Sequence, residues 1–310
     1  MNQIIIHEVG PRDGLQAEKT AVPLEEKARW IAGLCSAGVD IVQLGSFVNP
    51  EKVPQMADTD ALFRHFAGNK SDGVILSGLV LNEKGLERGM ACGVEMFCMG
   101  VSASETHSRK NTGMTSREAL GRIIPMARQA TAAGKYVQVS VQSAFGCGYE
   151  GPVDPEKVLS IVKAYLEAGI HNISLADTAG HAHPQQVEDL YGAIRSLDPS
   201  VALACHFHNT YGLGLANCFA ALKSGVTYFE SAFGGLGGCP FTKLPAGNVS
   251  TEDLVHSLQR MGLRKDIKLD ILLKVARQVS EYFQRDLPGF ILKSGSIVEF
   301  KGQDGLGGAA

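Results

Sequence analysis

The sequence has no excess of charge of one sign. Its 29 Lys and Arg residues are balanced by 32 Asp and Glu residues, which gives a formal net charge of -3 at pH 7. This balance supplies no global attraction to nucleic acid or to an anionic membrane surface. We therefore expect neither partner, and a binding site must be sought in local clusters of residues.

Long apolar runs and paired cysteines are also missing. No run approaches the roughly 18 apolar residues of a membrane-spanning helix, and no basic segment with a longer apolar stretch opens the chain. The seven cysteines include no Cys-x-x-Cys pair, so neither a disulfide framework nor a structural zinc site is predicted. These absences favour an ordinary cytoplasmic protein without a targeting peptide.

What the chain does contain is a regular alternation of β-rich apolar runs with segments rich in Ala, Leu, Glu and Lys. This pattern is typical of an α/β fold with a parallel sheet and crossover helices. We predict eight strands, at residues 3–9, 40–45, 73–80, 94–101, 136–142, 172–176, 201–208 and 227–233. Eight such units favour a (β/α)₈ TIM barrel. An open doubly wound sheet is the alternative, but its Gly-x-Gly-x-x-Gly fingerprint is absent after the first strand.

The prediction places residues 1–300 in a single barrel domain. A C-terminal helical extension begins at about residue 268, with an extra helix at 268–284 packed outside the barrel, and residues 301–310 form a flexible tail. In a barrel of this kind the functional residues lie at the carboxyl ends of the strands.

The pair His206-x-His208 at the end of the seventh strand is the most informative feature there. Because side chains alternate along a strand, both imidazoles lie on one face and Phe207 lies on the other. Two imidazoles so placed can share a metal ion, although two buried, hydrogen-bonded histidines would give the same pattern. Asp13 after the first strand and Asn248 after the eighth favour the metal, because strands one, seven and eight are neighbours in a closed barrel.

This donor set predicts which ion would bind. Two imidazoles, a carboxylate and an amide oxygen, without a thiolate, leave positions for substrate and favour Mg²⁺ or Mn²⁺ over structural zinc. Zinc or cobalt could still bind in vitro. The expected role of the ion is to hold a substrate hydroxyl beside a carbonyl or carboxylate oxygen and to lower the hydroxyl pKa.

Two residues beside these ligands suit substrate chemistry. Arg12 would stabilise an enolate oxygen, since a guanidinium does not readily lose its proton, or it would form a salt bridge across the barrel mouth. Cys239 follows four glycines within five residues, which permits a mobile loop whose thiol carries protons. A merely tolerated loop thiol is the alternative. His181 and His183 follow a strand end by several residues and are expected to be structural.

Several segments together resemble one family. They are Glu-Val-Gly-Pro-Arg-Asp-Gly-Leu-Gln-x-Glu-Lys at 8–19 and Gly-Leu-Gly-Gly-Cys-Pro at 235–240, with shorter matches at 46–48, 53–56, 102–105, 149–151, 177–178, 206–212 and 247–248. They cover nearly the whole chain and resemble the 3-hydroxy-3-methylglutaryl-CoA lyases. These enzymes are a branch of the metal-dependent lyase and aldolase barrels. The first two segments are specific to the lyases, whereas His-x-His is common to the wider superfamily.

The resemblance implies a retro-Claisen cleavage of 3-hydroxy-3-methylglutaryl-CoA to acetyl-CoA and acetoacetate by a homodimer. It makes Arg12 the enolate stabiliser and Cys239 the proton carrier. The implied metal ligands are Asp13, His206, His208 and Asn248. Asp177 and Gln43 are expected to complete the catalytic group. The expected substrate-binding residues are Gln16, Ser46, Ser104, Arg109, Lys110 and Asn111. The last four lie in a polar loop after the fourth strand that would hold a CoA phosphate, or would simply be a solvated basic loop.

Three departures from the family pattern concern the substrate. Gln43 stands where a glutamate partner of Arg12 is expected, Gly113 where a second asparagine is expected, and Asn209 where an aspartate usually follows the second histidine. Cleavage of a related thioester, citramalyl-CoA-like or longer-chain, is therefore an alternative. An aldolase of the same superfamily and a non-catalytic metal-binding scaffold are further alternatives, but a scaffold has no need of Arg12 or Cys239.

Overall fold

The eight strands form a closed barrel of parallel strands in chain order, which confirms the predicted fold. The computed structural model describes residues 4–238 and 247–297. The strands are β1 (Ile5–Glu8), β2 (Ile41–Ser46), β3 (Ile75–Leu79), β4 (Met96–Ser102), β5 (Tyr136–Gln142), β6 (Asn172–Asp177), β7 (Ala202–Phe207) and β8 (Tyr228–Ser231). The barrel closes where β1 pairs with β8.

Helices follow the strands and cover the outside of the barrel. They are α1 (Leu24–Ala37), α2 (Thr59–Phe66), α3 (Glu83–Cys92), α4 (Glu105–Thr112), α5 (Ser116–Ala132), α6 (Pro155–Glu167), α7 (Pro184–Leu197), α8 (Gly214–Lys223), α9 (Thr251–Arg260), α10 (Leu269–Phe283) and α11 (Phe290–Ser294). Within the described ranges, no helix combines the length and apolarity that a bilayer crossing requires.

The extra C-terminal helix is α10, which packs outside the barrel as predicted. Trp30 of α1 is fully buried and meets the ring of Tyr282 of α10 edge-on, with 5.4 Å between ring centroids. Such an edge-to-face contact adds about 0.5–1.5 kcal/mol to the burial of the two rings. The predicted tail at 301–310 lies outside the described residues.

The structure corrects two local predictions. Residues 105–112, predicted as a polar loop, form α4, because Ser104 Oγ accepts the backbone N–H of His107 at 3.1 Å and caps the helix. The helix ends at Gly113, whose φ is +76°. β7 ends at Phe207, one residue earlier than predicted, and His208 instead forms an isolated bridge with Asn248.

The buried carboxyl group of Glu8 connects the segments that follow the first and last strands of the barrel. Glu8 Oε1 accepts the backbone N–H groups of Gly10 at 2.7 Å and Phe233 at 3.0 Å, and Oε2 accepts the Thr251 hydroxyl at 2.6 Å. Burial raises the pKa of Glu8 to about 8. Glu8 therefore ties the turn after β1 to the segment after β8, and the predicted metal ligands Asp13 and Asn248 follow those two strands.

Candidate metal centre and active site

Three of the predicted ligands meet at the carboxyl end of the barrel. Ligand atoms of Asp13, His206 and His208 all lie within 4.8 Å of one another. The two Nε2 atoms are 3.1 Å apart, and Asp13 Oδ2 is 3.9 Å from Nε2 of His206 and 4.0 Å from Nε2 of His208. Ligands bound at about 2.1 Å and at right angles are about 3.0 Å apart, so the imidazole pair already has the spacing that one octahedral ion requires.

Local backbone geometry explains this convergence. After β1 the chain makes one π-helical turn, Gly10–Gly14, which brings Asp13 over the barrel mouth. Phe207, between the two histidines, is fully buried and packs against Phe145 with ring centroids 5.5 Å apart. The alternation along β7 therefore sends Phe207 to the core and both imidazoles to the cavity, as predicted.

Asn248 completes the group from the segment after β8. Its Nδ2 donates to Asp13 Oδ2 at 2.8 Å and to the Leu236 carbonyl at 2.9 Å. Its Oδ1 is buried without a hydrogen-bond partner among the described residues. A buried polar atom left unpaired costs about 1–3 kcal/mol. Coordination of Oδ1 to a cation bound by the other three residues would remove that cost. The donor set of the site thus fits a divalent ion.

Electrostatics keeps Asp13 and His208 in their metal-binding forms, whereas at His206 the contact with Glu230 outweighs burial and raises the pKa. Burial raises the pKa of Asp13, but the charges of Arg12 and the two imidazoles outweigh burial, so this pKa lies well below its usual range. Burial, followed by the neighbouring His206, lowers the pKa of His208 to about 4. An ionised carboxylate and a neutral imidazole are the forms that bind metal.

Arg12 is held on both sides. Its Nε donates to Gln43 Oε1 and its Nη1 donates to Asp13 Oδ1. A register shift in the β2–β3 pairing directly follows Gln43, as bulges beside functional sites often do. Although Gln43 replaces the expected glutamate, its amide oxygen accepts the guanidinium N–H of Arg12 and orients that side chain.

The site opens into a cavity of about 860 Å³. Arg12, Asp13, Gln43, His206 and His208 line its inner end, and the predicted substrate-binding residues Gln16 and Asn111 also line it. We call the part of the cavity beside the ends of β2 to β4, away from the histidines, the lobe. Its apolar lining residues are Val48, Val53, Leu79, Leu81 and Met99. Lys52 and Arg122 are cationic residues lining this lobe.

Several other predicted residues do not line the cavity. Asp177 is buried and accepts the backbone N–H groups of His181 at 2.8 Å and Ala182 at 3.2 Å. It therefore braces the loop after β6, and burial raises its pKa to about 7. Ser46 is fully buried within β2, and its hydroxyl has no partner among the described residues.

Because residues 105–112 form α4, the residues predicted to bind a CoA phosphate do not all face the cavity. The hydroxyl of Ser104 caps the helix. Arg109 and Lys110 are exposed and do not line the cavity. Lys110 Nζ lies 4.5 Å from the ring centroid of Tyr149. Cys239 lies outside the described residues.

The prediction missed a buried carboxylate beside the histidines. Glu230 of β8 sits next to His206 in the β7–β8 register, and its Oε2 lies 3.0 Å from His206 Nδ1. Ser174 Oγ donates to Glu230 Oε1 at 2.7 Å. The signal available in the sequence was a single acidic residue inside an otherwise apolar strand, where an unpaired charge is rarely tolerated.

Comparison with known proteins places the chain among lyases. The HMGL-like family model matches residues 3–279. A hydroxymethylglutaryl-CoA lyase of Bacillus subtilis is 37% identical over 92% of this chain and 95% of its own length. An (R)-citramalyl-CoA lyase of Chloroflexus aurantiacus is 36% identical over 96% of both chains.

A solved structure extends the comparison to the fold. An HMG-CoA lyase from Acinetobacter baumannii, in complex with coenzyme A and 3-methylmalate, superposes with a TM-score of 0.89 at 37% identity, over 96% of each chain. The relatives are matched over nearly their whole length. The chain is therefore a lyase that belongs to the HMGL-like family.

Proposed function

We propose that the protein cleaves 3-hydroxy-3-methylglutaryl-CoA to acetyl-CoA and acetoacetate. The observation that carries this proposal is the convergence of Asp13, His206 and His208, with the unpartnered oxygen of Asn248, at the inner end of a large cavity. We propose these four residues as ligands of Mg²⁺ or Mn²⁺. When bound, such an ion supplies Lewis-acid polarisation of the substrate hydroxyl.

The residues around this centre determine what happens to charge and protons. In the cleavage the hydroxyl gives up its proton to water or to a base in the cavity, and the C2–C3 bond breaks as the hydroxyl oxygen becomes the ketone of acetoacetate. The electron pair of the broken bond moves onto the thioester as an enolate. Arg12, fixed by Gln43 and Asp13, presents a permanent positive charge at the inner end of the cavity, where the enolate oxygen would lie. We propose Cys239 as the residue that returns a proton to C2; it follows Gly238, which lines the cavity.

The lobe is proposed to take the carrier part of the thioester. Cavities that bind small molecules usually measure about 300–1,000 Å³, so the observed volume suits an acyl group with part of its carrier. Lys52 is an exposed cation that lines the lobe. We propose Lys52, with Gln16 and Asn111, as contacts of the carrier, in place of Arg109 and Lys110.

A second substrate is favoured by two observations. Gln43 replaces the expected glutamate beside Arg12, and the Chloroflexus relative is named for (R)-citramalyl-CoA. Cleavage of that thioester would give acetyl-CoA and pyruvate. A homodimer stays a prediction from the resemblance.

The test is turnover of two thioesters by the purified protein with Mg²⁺ or Mn²⁺, with the products identified by mass. We expect acetoacetate and acetyl-CoA from 3-hydroxy-3-methylglutaryl-CoA. Pyruvate from citramalyl-CoA alone would establish the second substrate instead, and no cleavage of either thioester would refute the proposal. His206→Ala should lose both metal and turnover, whereas Cys239→Ser should keep the metal and lose turnover; a fully active serine variant would remove the proton-carrier role.

A further inference from the structure

We propose that Glu230 is a positioning residue that orients His206 as a metal ligand, so that His206 is held in place in advance while His208 adapts when the ion binds. This inference rests on the proposed metal centre. It concerns a buried carboxylate that lines the cavity beside His206 and accepts from no backbone donor in the described part of the chain, and the proposed reaction assigns it no other role.

The geometry of Glu230 leaves it one role. Both carboxylate oxygens are engaged, one by the Ser174 hydroxyl at 2.7 Å and the other by His206 Nδ1 at 3.0 Å. Glu230 and His206 are each 7% exposed. Strand register makes them direct neighbours on β7 and β8, so their relative position is set by the barrel itself.

The contact decides which nitrogen of His206 is available. An ionised carboxylate only accepts hydrogen bonds, so Nδ1 must carry a hydrogen in this contact. When a metal is bound, the lone pair of Nε2 then faces Asp13 and His208. Partners of this kind raise the basicity of a ligating imidazole and fix its ring, and their loss typically weakens metal affinity 10- to 100-fold.

His208 lacks the equivalent support. Its Nδ1 is buried and has no hydrogen-bond partner in the part of the chain that the structure describes. Its ring is held by the chain and by the neighbouring imidazole, with ring centroids 5.1 Å apart. The two histidines of the pair are therefore unequal: one is braced by a carboxylate and the other is not.

The inference is tested by Mn²⁺ titration of metal-free protein, with free Mn²⁺ followed by electron paramagnetic resonance. Glu230→Gln keeps the size of the side chain and removes its charge, and we expect the Mn²⁺ Kd to rise 10- to 100-fold. Ser174→Ala should raise the Kd by a smaller factor. The matched control is Glu252→Gln, a fully buried glutamate that accepts from Gly234 N–H at 2.7 Å and does not contact either imidazole; its Kd should stay within about twofold of the wild type.

A second measurement reports orientation directly. In the Mg²⁺-loaded protein, long-range proton–nitrogen spectra should show His206 with a strongly deshielded Nδ1 proton, which Glu230→Gln should move upfield. If Glu230→Gln binds Mn²⁺ as tightly as the wild type, or if Glu252→Gln weakens binding equally, Glu230 does not position His206. If the wild type itself binds no Mn²⁺, the metal centre is wrong and the inference fails with it, so the two failures are distinguishable.

Discussion

Glu8→Gln should change how the stability of the protein depends on pH. Burial raises the folded-state pKa of Glu8 to about 8 from its ordinary value of 4.5. Between these values the unfolded chain has lost the proton that the folded protein keeps. The folded state therefore binds more protons, and the free energy of unfolding contributed by Glu8 falls as pH rises through this window.

The size of this change in the free energy of unfolding is set by the titration of a single proton. The slope cannot exceed about 1.4 kcal/mol per pH unit, which gives a loss of about 2.5 kcal/mol between pH 5.5 and pH 7.5. Glutamine cannot ionise, so the variant lacks this contribution. Its amide oxygen can still accept from Gly10 and Phe233, and its NH₂ group can donate to Thr251, which also contacts Ser231 at 2.8 Å.

Urea unfolding of metal-free wild type and Glu8→Gln at several pH values provides the assay. Asp177, whose buried carboxyl group also has a raised pKa, acts equally in both proteins and cancels in the difference. Glu252 does not cancel completely, because its charge contributes to the raised pKa of Glu8. We expect that difference to shift by about 2.5 kcal/mol in favour of the variant as pH rises from 5.5 to 7.5. Parallel stability curves would show that Glu8 ionises normally in the folded protein. That result would refute the account of Glu8 as a buried carboxyl group with a raised pKa.

Two further variants probe the fourth ligand. Asn248→Ala should weaken metal binding: at Mn²⁺ equal to 100 times the wild-type Kd, stabilisation of the wild type is about 2.7 kcal/mol, and a 100-fold weaker Kd reduces it to about 0.4 kcal/mol. Equal Mn²⁺-induced shifts in Tm for both proteins would exclude Asn248 as a ligand. Gly237→Ala should lower both Tm and Mn²⁺ affinity, because φ is +119° at Gly237 and a Cβ would lie 2.6 Å from Asn248 Nδ2. Unchanged Mn²⁺ affinity in Gly237→Ala would show that Asn248 need not stay in place.

The barrel was predictable because its signal is repeated. Each buried parallel strand is a short β-rich apolar run, and each crossover helix has a different composition. The positions of His206, Asp13 and Asn248 followed from the same rule, since strand ends meet at one face of the barrel. By contrast, α4 was predicted as a loop because Ser-Glu-Thr-His-Ser-Arg-Lys-Asn contains no apolar residue from which a helical period could be recognised.

Side-chain contacts between neighbouring strands could not be predicted from the sequence. Glu230 meets His206 only because β7 and β8 pair in one particular register, and register is not encoded in either strand alone. For the same reason Lys110 and Lys52 could not be ranked as carrier contacts. Both are lysines near a strand end, and only the path of α4 and of the loop after β2 determines that Lys52 lines the cavity.

The hydrogen bond between Asp13 and Asn248 joins residues 235 positions apart. A ribosome adding about 5–20 residues per second needs roughly 10–50 s to make the intervening chain. Until residues 206 and 208 have been made, the nascent chain carries Asp13 without any other proposed ligand, and the fourth, Asn248, comes last. At the proposed centre, metal binding by all four residues would therefore follow closure of the final strand, and the ion bound there would reflect the supply met by the finished barrel.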